Sequence, residues 1–164
     1  ESSKETRDVF SRILATCEEK GVPVKHTVHA AVRTSEQAAA VRGVSLASGA
    51  KTMVMNCGAG AAPALLVMSA IRKVDWKAVR RLLPKGAQVM KEDAVPTMTG
   101  CLPGAVPPFG SLFRTPAATY VDESLVSQGD TINFNAGLRT ESLQLKVTDY
   151  LAVEPHALCS FSKP

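Results

Sequence analysis

Two features of the sequence carry residue types that could act on a substrate: Lys51 and residues 99–110. Residues 99–110 hold three glycines and three prolines. Proline lacks an N–H group and glycine lacks a Cβ, so this stretch can form neither a helix nor a central strand. Because it also carries Leu102, Val106 and Phe109, we predict a rigid, packed loop whose main chain meets a ligand. A purely structural turn is the alternative.

Lys51 opens an apolar run that follows the glycine-containing segment 47–50. A lysine can bury its aliphatic stem while its ammonium group reaches a cleft. Lys51 is therefore a candidate for contact with an anionic or carbonyl group of a substrate. An exposed lysine at the end of a strand is the alternative.

A basic segment at residues 72–85 is the third candidate. It contains six arginines and lysines, with Asp75 as its only acid. Such a row of cations can bind a phosphate backbone, and each contact adds salt-dependent affinity; a solvated helix face is the alternative. We predict a phosphate-binding patch formed by Arg72, Lys73, Lys77, Arg80 and Arg81.

The composition excludes several functional classes. The chain has 164 residues, of which 45% are hydrophobic and 21% charged, with a net charge of +4, as is typical of a soluble globular protein. Its four cysteines are too far apart for a C-x-x-C pair or a zinc finger, and no nucleotide-binding, zinc-protease or serine-hydrolase motif is present. We expect no metal, no other cofactor, no membrane segment and a cytoplasmic location. Because the sequence starts at Glu1 rather than Met, a leader or fused partner could be missing.

Local patterns predict an α+β fold. The predicted helices are residues 4–20, 37–42, 76–83, 123–126 and 149–153, with a poor helix at 91–98. The predicted strands are residues 23–31, 51–57, 64–70, 86–90, 119–122, 130–136 and 142–147. Because helices and strands do not alternate strictly, we expect a mixed, curved sheet. We place Trp76 on the buried stripe of its helix and Gly137 in the turn between the last two strands.

Capping residues predict three helix starts. Thr34 with Gln37 fits a capping box. Asp75 suits the N-cap of the helix at 76–83, and Thr148 suits that of the last helix.

Six segments, in order along the chain, carry a resemblance to a known family. They are residues 33–39 (RTSEQAA), 49–54 (GAKTMV), 99–110 (TGCLPGAVPPFG), 120–125 (YVDESL), 134–137 (FNAG) and 148–151 (TDYL). Together they resemble the YbaK family, the editing domain associated with prolyl-tRNA synthetase. The resemblance implies an α+β fold with a curved mixed sheet surrounded by helices, and hydrolysis of mischarged aminoacyl-tRNA without a metal or other cofactor. It also implies a single editing domain over residues 1–164, with an N-terminal helix at 1–21, the family core at 22–153 and a C-terminal tail at 154–164.

The resemblance also implies the site residues. Lys51 matches the family's near-invariant lysine and Gly104 opens its G-x-x-x-P loop, so both are predicted to be catalytic. The predicted substrate-binding residues are Thr34, Gly100, Ala105, Val106, Pro107, Pro108 and Gly137. The main-chain N–H groups of Gly104, Ala105 and Val106 are expected to bind the carbonyl or ribose oxygens of the substrate.

The amino acid and the tRNA stay open at this point. Alanine, serine, threonine and cysteine on a non-cognate tRNA are the candidate substrates, with proline tRNA among the carriers. The absence of a synthetase catalytic domain from the sequence implies action in trans, unless the chain was cut from a fusion. The expected partner is aminoacyl-tRNA, with aminoacyl-tRNA synthetases as a further candidate. The alternatives are a non-catalytic module that binds tRNA or synthetases, including a fragment of a multi-synthetase complex, and a thiol-dependent protein that uses Cys101.

Overall fold

The computed structural model describes residues 5–32 and 34–164. The helices are α1 (Asp8–Glu19), α2 (Ser35–Arg42), α3 (Trp76–Leu82), α4 (Val95–Thr99), α5 (Glu123–Ser127) and α6 (Val147–Val153). The strands are β1 (Lys25–Val28), β2 (Ala50–Asn56), β3 (Ala64–Ser69), β4 (Lys73–Val74), β5 (Gln88–Val89), β6 (Ala118–Asp122), β7 (Thr131–Leu138), β8 (Glu141–Lys146), β9 (Ala157–Cys159) and β10 (Ser162–Lys163). Short 3₁₀ turns lie at Leu46–Ser48, Glu92–Ala94 and Gly110–Leu112.

The described strands form three sheets. The largest has the order β5-β2-β3-β6-β9, with antiparallel pairing on the β5 side of β3 and parallel pairing on the β9 side. The second is the antiparallel sheet β1-β8-β7, and the third pairs β10 with β4. A parallel bridge between Gly49 and Asn133 joins the first two sheets. The α+β class and the mixed sheet are confirmed.

Apolar side chains pack on both faces of the largest sheet, and β3 is accordingly buried along its whole length. On one face, α1 contributes Val9, Phe10, Ile13 and Cys17 to a core shared with β7 and β8. Three aromatic rings lie at the centre of this core. The ring centroid of Phe109 is 5.5 Å from that of Phe134 and 5.3 Å from that of Tyr150. The core therefore packs directly against the 99–110 loop.

Two predicted helix starts are confirmed by their hydrogen bonds. The Thr34 hydroxyl accepts from the Gln37 amide at 3.1 Å, and the Thr34 amide donates to the Gln37 side chain at 3.4 Å, which completes the capping box. The Asp75 carboxylate accepts hydrogen bonds from the Lys77 and Ala78 amides in the first turn of α3, at 3.1 and 3.3 Å. These contacts satisfy N–H groups that have no partner within the helix.

Several local predictions are wrong. Helix α6 begins one residue before Thr148, and its N-cap, Lys146, makes no side-chain cap. Trp76 is 39% exposed rather than buried. Gly137 lies inside β7 at a bulge with φ +86°, so the hairpin turn comes later, at Arg139 and Thr140. A bulge adds a residue to one strand, and the alternation of side chains does not reveal it.

The C-terminal residues contribute strands that no sequence pattern indicated. Strand β9 extends the largest sheet and β10 pairs with β4. The Asp122 carboxylate holds this segment, because it accepts from the Phe161 amide at 2.7 Å and the Ser162 hydroxyl at 2.6 Å. These bonds and the Ser124 hydrogen bonds lower the pKa of Asp122 despite its burial. Such short strands form through tertiary contacts rather than through their own residue pattern.

The 99–110 loop is packed at both ends. Gly100 ends α4 in the left-handed conformation, with φ +84°. At the other end, the Tyr150 hydroxyl donates to the Pro108 carbonyl at 2.5 Å. The buried Glu154 carboxylate accepts from the Ser111 amide at 3.1 Å and from the Ser111 hydroxyl. The predicted packing of the loop is therefore confirmed at both of its ends.

Candidate active site

A cavity of about 510 Å³ opens between α2, β2, β7 and the 99–110 loop. The described residues that line it are Thr34, Ser35, Glu36, Ala38, Arg42, Gly49, Ala50, Lys51, Thr52, Met53, Val54, Ala70, Val89, Met90, Val95, Pro103, Gly104, Val106, Phe134 and Asn135. Of the predicted site residues, Lys51, Gly104, Thr34 and Val106 therefore meet in one cavity.

Strand β2 forms one wall of the cavity, because about half of the edge that faces away from β3 has no strand paired with it among the described residues. Strand β5 pairs only with Met55 and Asn56, so residues 50–53 have β3 on one side and no strand from the described part of the chain on the other. Successive main-chain groups of a strand point to opposite sides, so part of this wall is polar backbone. Lys51 lies on this wall, half-buried, and its ammonium group has no hydrogen-bond partner among the described residues.

Two loop residues that line the cavity have unpaired amides. Gly104 and Val106 both line it, and neither N–H group has an acceptor among the described residues. The Ala105 amide differs, because it donates to the Leu102 carbonyl at 3.0 Å and the residue is fully buried. The expectation of a third free amide at Ala105 is therefore corrected: the available donors are those of Gly104 and Val106.

The loop carbonyls, in contrast, are all occupied between residues 103 and 106. Their donors come from β2, β7 and the residue that follows β7. The Pro103 carbonyl accepts from Arg139 Nε at 3.1 Å and from Arg139 Nη2 at 2.5 Å. The Gly104 carbonyl accepts from Asn135 Nδ2 at 2.8 Å, and the Ala105 carbonyl accepts from the Gly137 amide at 2.9 Å. The Val106 carbonyl accepts from Thr52 Oγ1 at 3.1 Å.

Five predicted substrate-binding residues lie outside the cavity lining: Gly100, Ala105, Pro107, Pro108 and Gly137. All five are buried. A Cβ on Gly137 would lie 3.4 Å from a main-chain nitrogen of α1 and 3.5 Å from the Cys101 sulfur. These are ordinary contact distances, so the φ of +86° rather than lack of space favours glycine at this position, and the Gly137 amide holds the loop.

Sequence reasoning did not identify Arg42 and Asn135 as cavity residues. Arg42 Nε donates to the Ser142 hydroxyl at 2.8 Å, and Nη2 donates to Asn135 Oδ1 at 2.9 Å. Burial lowers the pKa of Arg42 to about 10, so the guanidinium stays charged at neutral pH. No carboxylate lies within salt-bridge distance of it among the described residues. The alanine-rich pattern of α2 gave no indication that its last residue turns into a cavity.

The basic segment lies apart from the cavity lining. Lys73, Lys77, Arg80 and Arg81 are exposed, and no side-chain partner is present for any of them among the described residues. Arg72 instead donates to the Ser162 hydroxyl at 3.0 Å and carbonyl at 3.2 Å. The cavity and the basic segment are connected through the chain itself, because Ala70 lines the cavity and Arg72 follows two residues later.

Cys101 is unsuited to thiol chemistry. Its sulfur lies in the core and the residue is 2% exposed, and burial raises the pKa of its thiol to about 12. A nucleophilic cysteine needs a thiolate at neutral pH. Within residues 5–32 and 34–164, no group of three or more histidine, cysteine or acidic residues could hold a metal ion, and no helix has the length and apolarity to cross a bilayer.

Comparison with known proteins gives an independent line of evidence. Residues 29–153 match the aminoacyl-tRNA editing domain family. The multifunctional Ser/Thr-tRNA deacylase ProXp-y of Escherichia coli K12 is 30% identical over 155 residues, which cover 93% of this chain and 92% of that protein. The same protein from Escherichia coli O157:H7 matches equally.

Solved structures share the fold at lower sequence identity. A candidate trans-editing enzyme for prolyl tRNA synthetase has a TM-score of 0.79 at 23% identity, over 94% of this chain and 96% of that one. A protein from work on computational epitope grafting onto scaffolds has a TM-score of 0.80 at 21% identity, over the same shares of the two chains. With a family match that spans most of its length and a relative at 30% identity over nearly all of it, the chain belongs to the aminoacyl-tRNA editing domain family.

Proposed function

We propose that this protein hydrolyses, in trans, the ester that links a small amino acid to the 3′ end of a mischarged tRNA. The observation that carries the proposal is the meeting of two unpaired amides, those of Gly104 and Val106, with the unpaired ammonium group of Lys51 in one cavity. Membership of the editing family and the deacylase name of the Escherichia coli relatives support it.

The reaction needs little from the protein beyond positioning and charge stabilisation. Water adds to the ester carbonyl, the carbonyl oxygen becomes an oxyanion, and collapse of this intermediate breaks the bond to the ribose oxygen. The products are the free amino acid and a tRNA whose terminal hydroxyl has regained a proton. Preorganised N–H donors at the oxyanion are often the largest single contribution in such reactions.

We assign the oxyanion to the amides of Gly104 and Val106 and the orientation of the substrate to Lys51. The ammonium group is suited to a ribose or phosphate oxygen of the terminal nucleotide. No histidine lines the cavity among the described residues, and Glu36 is the only carboxylate that does. The free ribose hydroxyl next to the ester is therefore the best placed group to help position the water.

The remaining predicted substrate-binding residues have supporting roles in this proposal. Thr34 lines the cavity at the start of α2. Gly100, Pro107 and Pro108 shape the loop without lining the cavity, and Gly137 holds the Ala105 carbonyl.

The cavity wall discriminates poorly between small amino acids of similar size. Part of the cavity wall is apolar and includes Val54, Val95 and Phe134. Such a wall separates amino acids that differ by one methylene by only about 1–3 kcal/mol, so alanine, serine, threonine and cysteine are all candidates. The name of the Escherichia coli relatives favours serine and threonine.

The basic segment supplies the proposed tRNA contact. Arg72, Lys73, Lys77, Arg80 and Arg81 would bind phosphates of the acceptor stem while the 3′ end enters the cavity. The exposure of four of these side chains and the closeness of Arg72 to the cavity residue Ala70 along the chain support this arrangement.

The test is a panel of tRNAs charged with alanine, serine, threonine or cysteine, incubated with wild type, Lys51→Ala and Lys20→Ala. Lys20 is an exposed lysine at the end of α1, outside the cavity lining, and serves as the matched control. We expect Lys51→Ala to lose on the order of 100-fold or more in kcat on at least one substrate, with Lys20→Ala unaffected. Full turnover by Lys51→Ala on every substrate would refute the assigned role, and binding without hydrolysis by wild type would favour the non-catalytic module.

A further inference from the structure

The end of β7 holds three consecutive carbonyls of the cavity loop. Asn135 and Gly137 belong to β7, and Arg139 follows its last residue. Asn135 Nδ2 donates to the Gly104 carbonyl at 2.8 Å, and the Gly137 amide donates to the Ala105 carbonyl at 2.9 Å. Two guanidinium nitrogens of Arg139 donate to the Pro103 carbonyl, at 3.1 and 2.5 Å.

Two of these contacts determine where the unpaired amides point. A peptide unit is planar, and in the trans form the C=O of one residue and the N–H of the next point in opposite directions. The Arg139 contact with the Pro103 carbonyl therefore sets the direction of the Gly104 N–H. In the same way, the Gly137 contact with the Ala105 carbonyl sets the direction of the Val106 N–H.

Arg139 contributes the strongest of the three contacts. Two N–H groups converge on one oxygen, and hydrogen bonds from a charged donor are about twice as strong as neutral ones. Among the described residues, no carboxylate lies within salt-bridge distance of its guanidinium, so no acidic side chain competes with the Pro103 carbonyl. Arg139 is also absent from the cavity lining, so its contact with the site runs through the loop.

We propose that Arg139 is a positioning residue for the ester hydrolysis: it holds the Pro103–Gly104 peptide so that the Gly104 N–H meets the oxyanion. This inference rests on the proposed function. The Val106 amide is held by main chain alone, through Gly137. Of the two proposed oxyanion donors, the Gly104 amide is therefore the one whose direction depends on a replaceable side chain.

The kinetic test compares Arg139→Ala and Arg139→Lys with Arg12→Ala. Arg12 is the matched control, because its Nη1 also donates to a main-chain carbonyl, that of Leu112 at 3.1 Å, outside the cavity lining. On seryl- and threonyl-tRNA, we expect Arg139→Ala to lower kcat by about 10- to 100-fold with KM within about threefold. Arg139→Lys keeps one donor and should recover part of the rate, whereas Arg12→Ala should match wild type.

Amide hydrogen exchange tests the positioning without reference to activity. The reporters are the amides of Ala105 and Gly137, which donate to the carbonyls of Leu102 and Ala105. We expect both to exchange about tenfold faster or more in Arg139→Ala than in wild type and Arg12→Ala. Unchanged exchange, or a rise in KM with kcat unaltered, would overturn the inference. If the loop loosens but wild type hydrolyses no charged tRNA, the proposed function fails while the hold of Arg139 on the loop stands.

Discussion

The sharpest test of the proposed oxyanion site is Gly104→Ala, because the chain contains a second glycine with nearly the same positive φ that can serve as a control. Gly104 has φ +86° and Gly86 has φ +87°. An L-residue in this region costs about 1–2 kcal/mol, which for a chain of this length corresponds to a fall in melting temperature of roughly 2–8 °C. A Cβ on Gly86 would meet nothing within 4 Å, and Gly86 lies outside the cavity lining. Gly86→Ala therefore measures the cost of a side chain at this φ away from the cavity, and thermal unfolding of both variants shows whether Gly104→Ala loses a similar amount of stability.

Their activities should differ widely. Relief of strain at position 104 requires φ to move towards negative values, which turns the peptide on either side of the residue and breaks the alignment of its N–H. Loss of one oxyanion donor costs about 3 kcal/mol in the barrier, or 10²–10³ in kcat. We expect this loss for Gly104→Ala and no loss for Gly86→Ala.

The assay is single-turnover deacylation of seryl- and threonyl-tRNA with enzyme in excess, alongside thermal unfolding of both variants. Single-turnover conditions report the chemical step without product release. If Gly104→Ala melts as Gly86→Ala does and yet hydrolyses the ester at the wild-type rate, the assignment of the Gly104 amide to the oxyanion is refuted.

Three further predictions concern residues outside the cavity. Replacing Arg80 and Arg81 together with alanine should reduce the slope of log K for tRNA binding against log salt by about 1–2; an unchanged slope in titrations at several salt concentrations would identify α3 as a solvated face. Cys101→Ser should leave the deacylation rate unchanged, because the thiol is buried away from the cavity with its pKa raised to about 12; a large loss of kcat in a folded variant would revive a thiol mechanism. Burial raises the pKa of Glu154 above its ordinary value of 4.5, so the native state binds this proton more tightly and the carboxyl's contribution to stability falls as pH rises through the native pKa. The free energy of unfolding of Glu154→Gln, measured in urea between pH 4 and 7, should accordingly rise relative to that of wild type as pH rises, and a constant difference would contradict this.

Local signals in the sequence predicted the parts of the site that local chemistry determines. The capping box of Thr34 placed the start of α2, and the apolar run after Lys51 placed β2. The glycines and prolines of the 99–110 loop excluded regular structure, and their apolar neighbours indicated packing. Each of these features depends on interactions within a few residues, so the sequence pattern contains the relevant information.

The residues that complete the site depend on contacts between distant segments. Arg42 lies 93 positions from Asn135, and Arg139 lies 36 positions from Pro103. No period or motif connects such pairs, because their contact follows from how the two sheets join. The sequence also cannot show that the Ala105 amide is occupied while its neighbours are not, since this depends on how the loop turns at Leu102.

The electrostatics of the cavity support stabilisation of a negative charge that develops during the reaction. Arg42 and Lys51 are both cations at its wall, and the side-chain acceptors of Arg42 are neutral. Neutral acceptors satisfy the N–H groups of the guanidinium but do not cancel its charge. A partly buried cation without a counterion is unfavourable, as the lowered pKa of Arg42 shows. In the proposed hydrolysis the ester is uncharged before water adds and carries an oxyanion afterwards. The uncancelled charge would therefore favour the intermediate over the bound substrate, and a difference of this kind raises kcat.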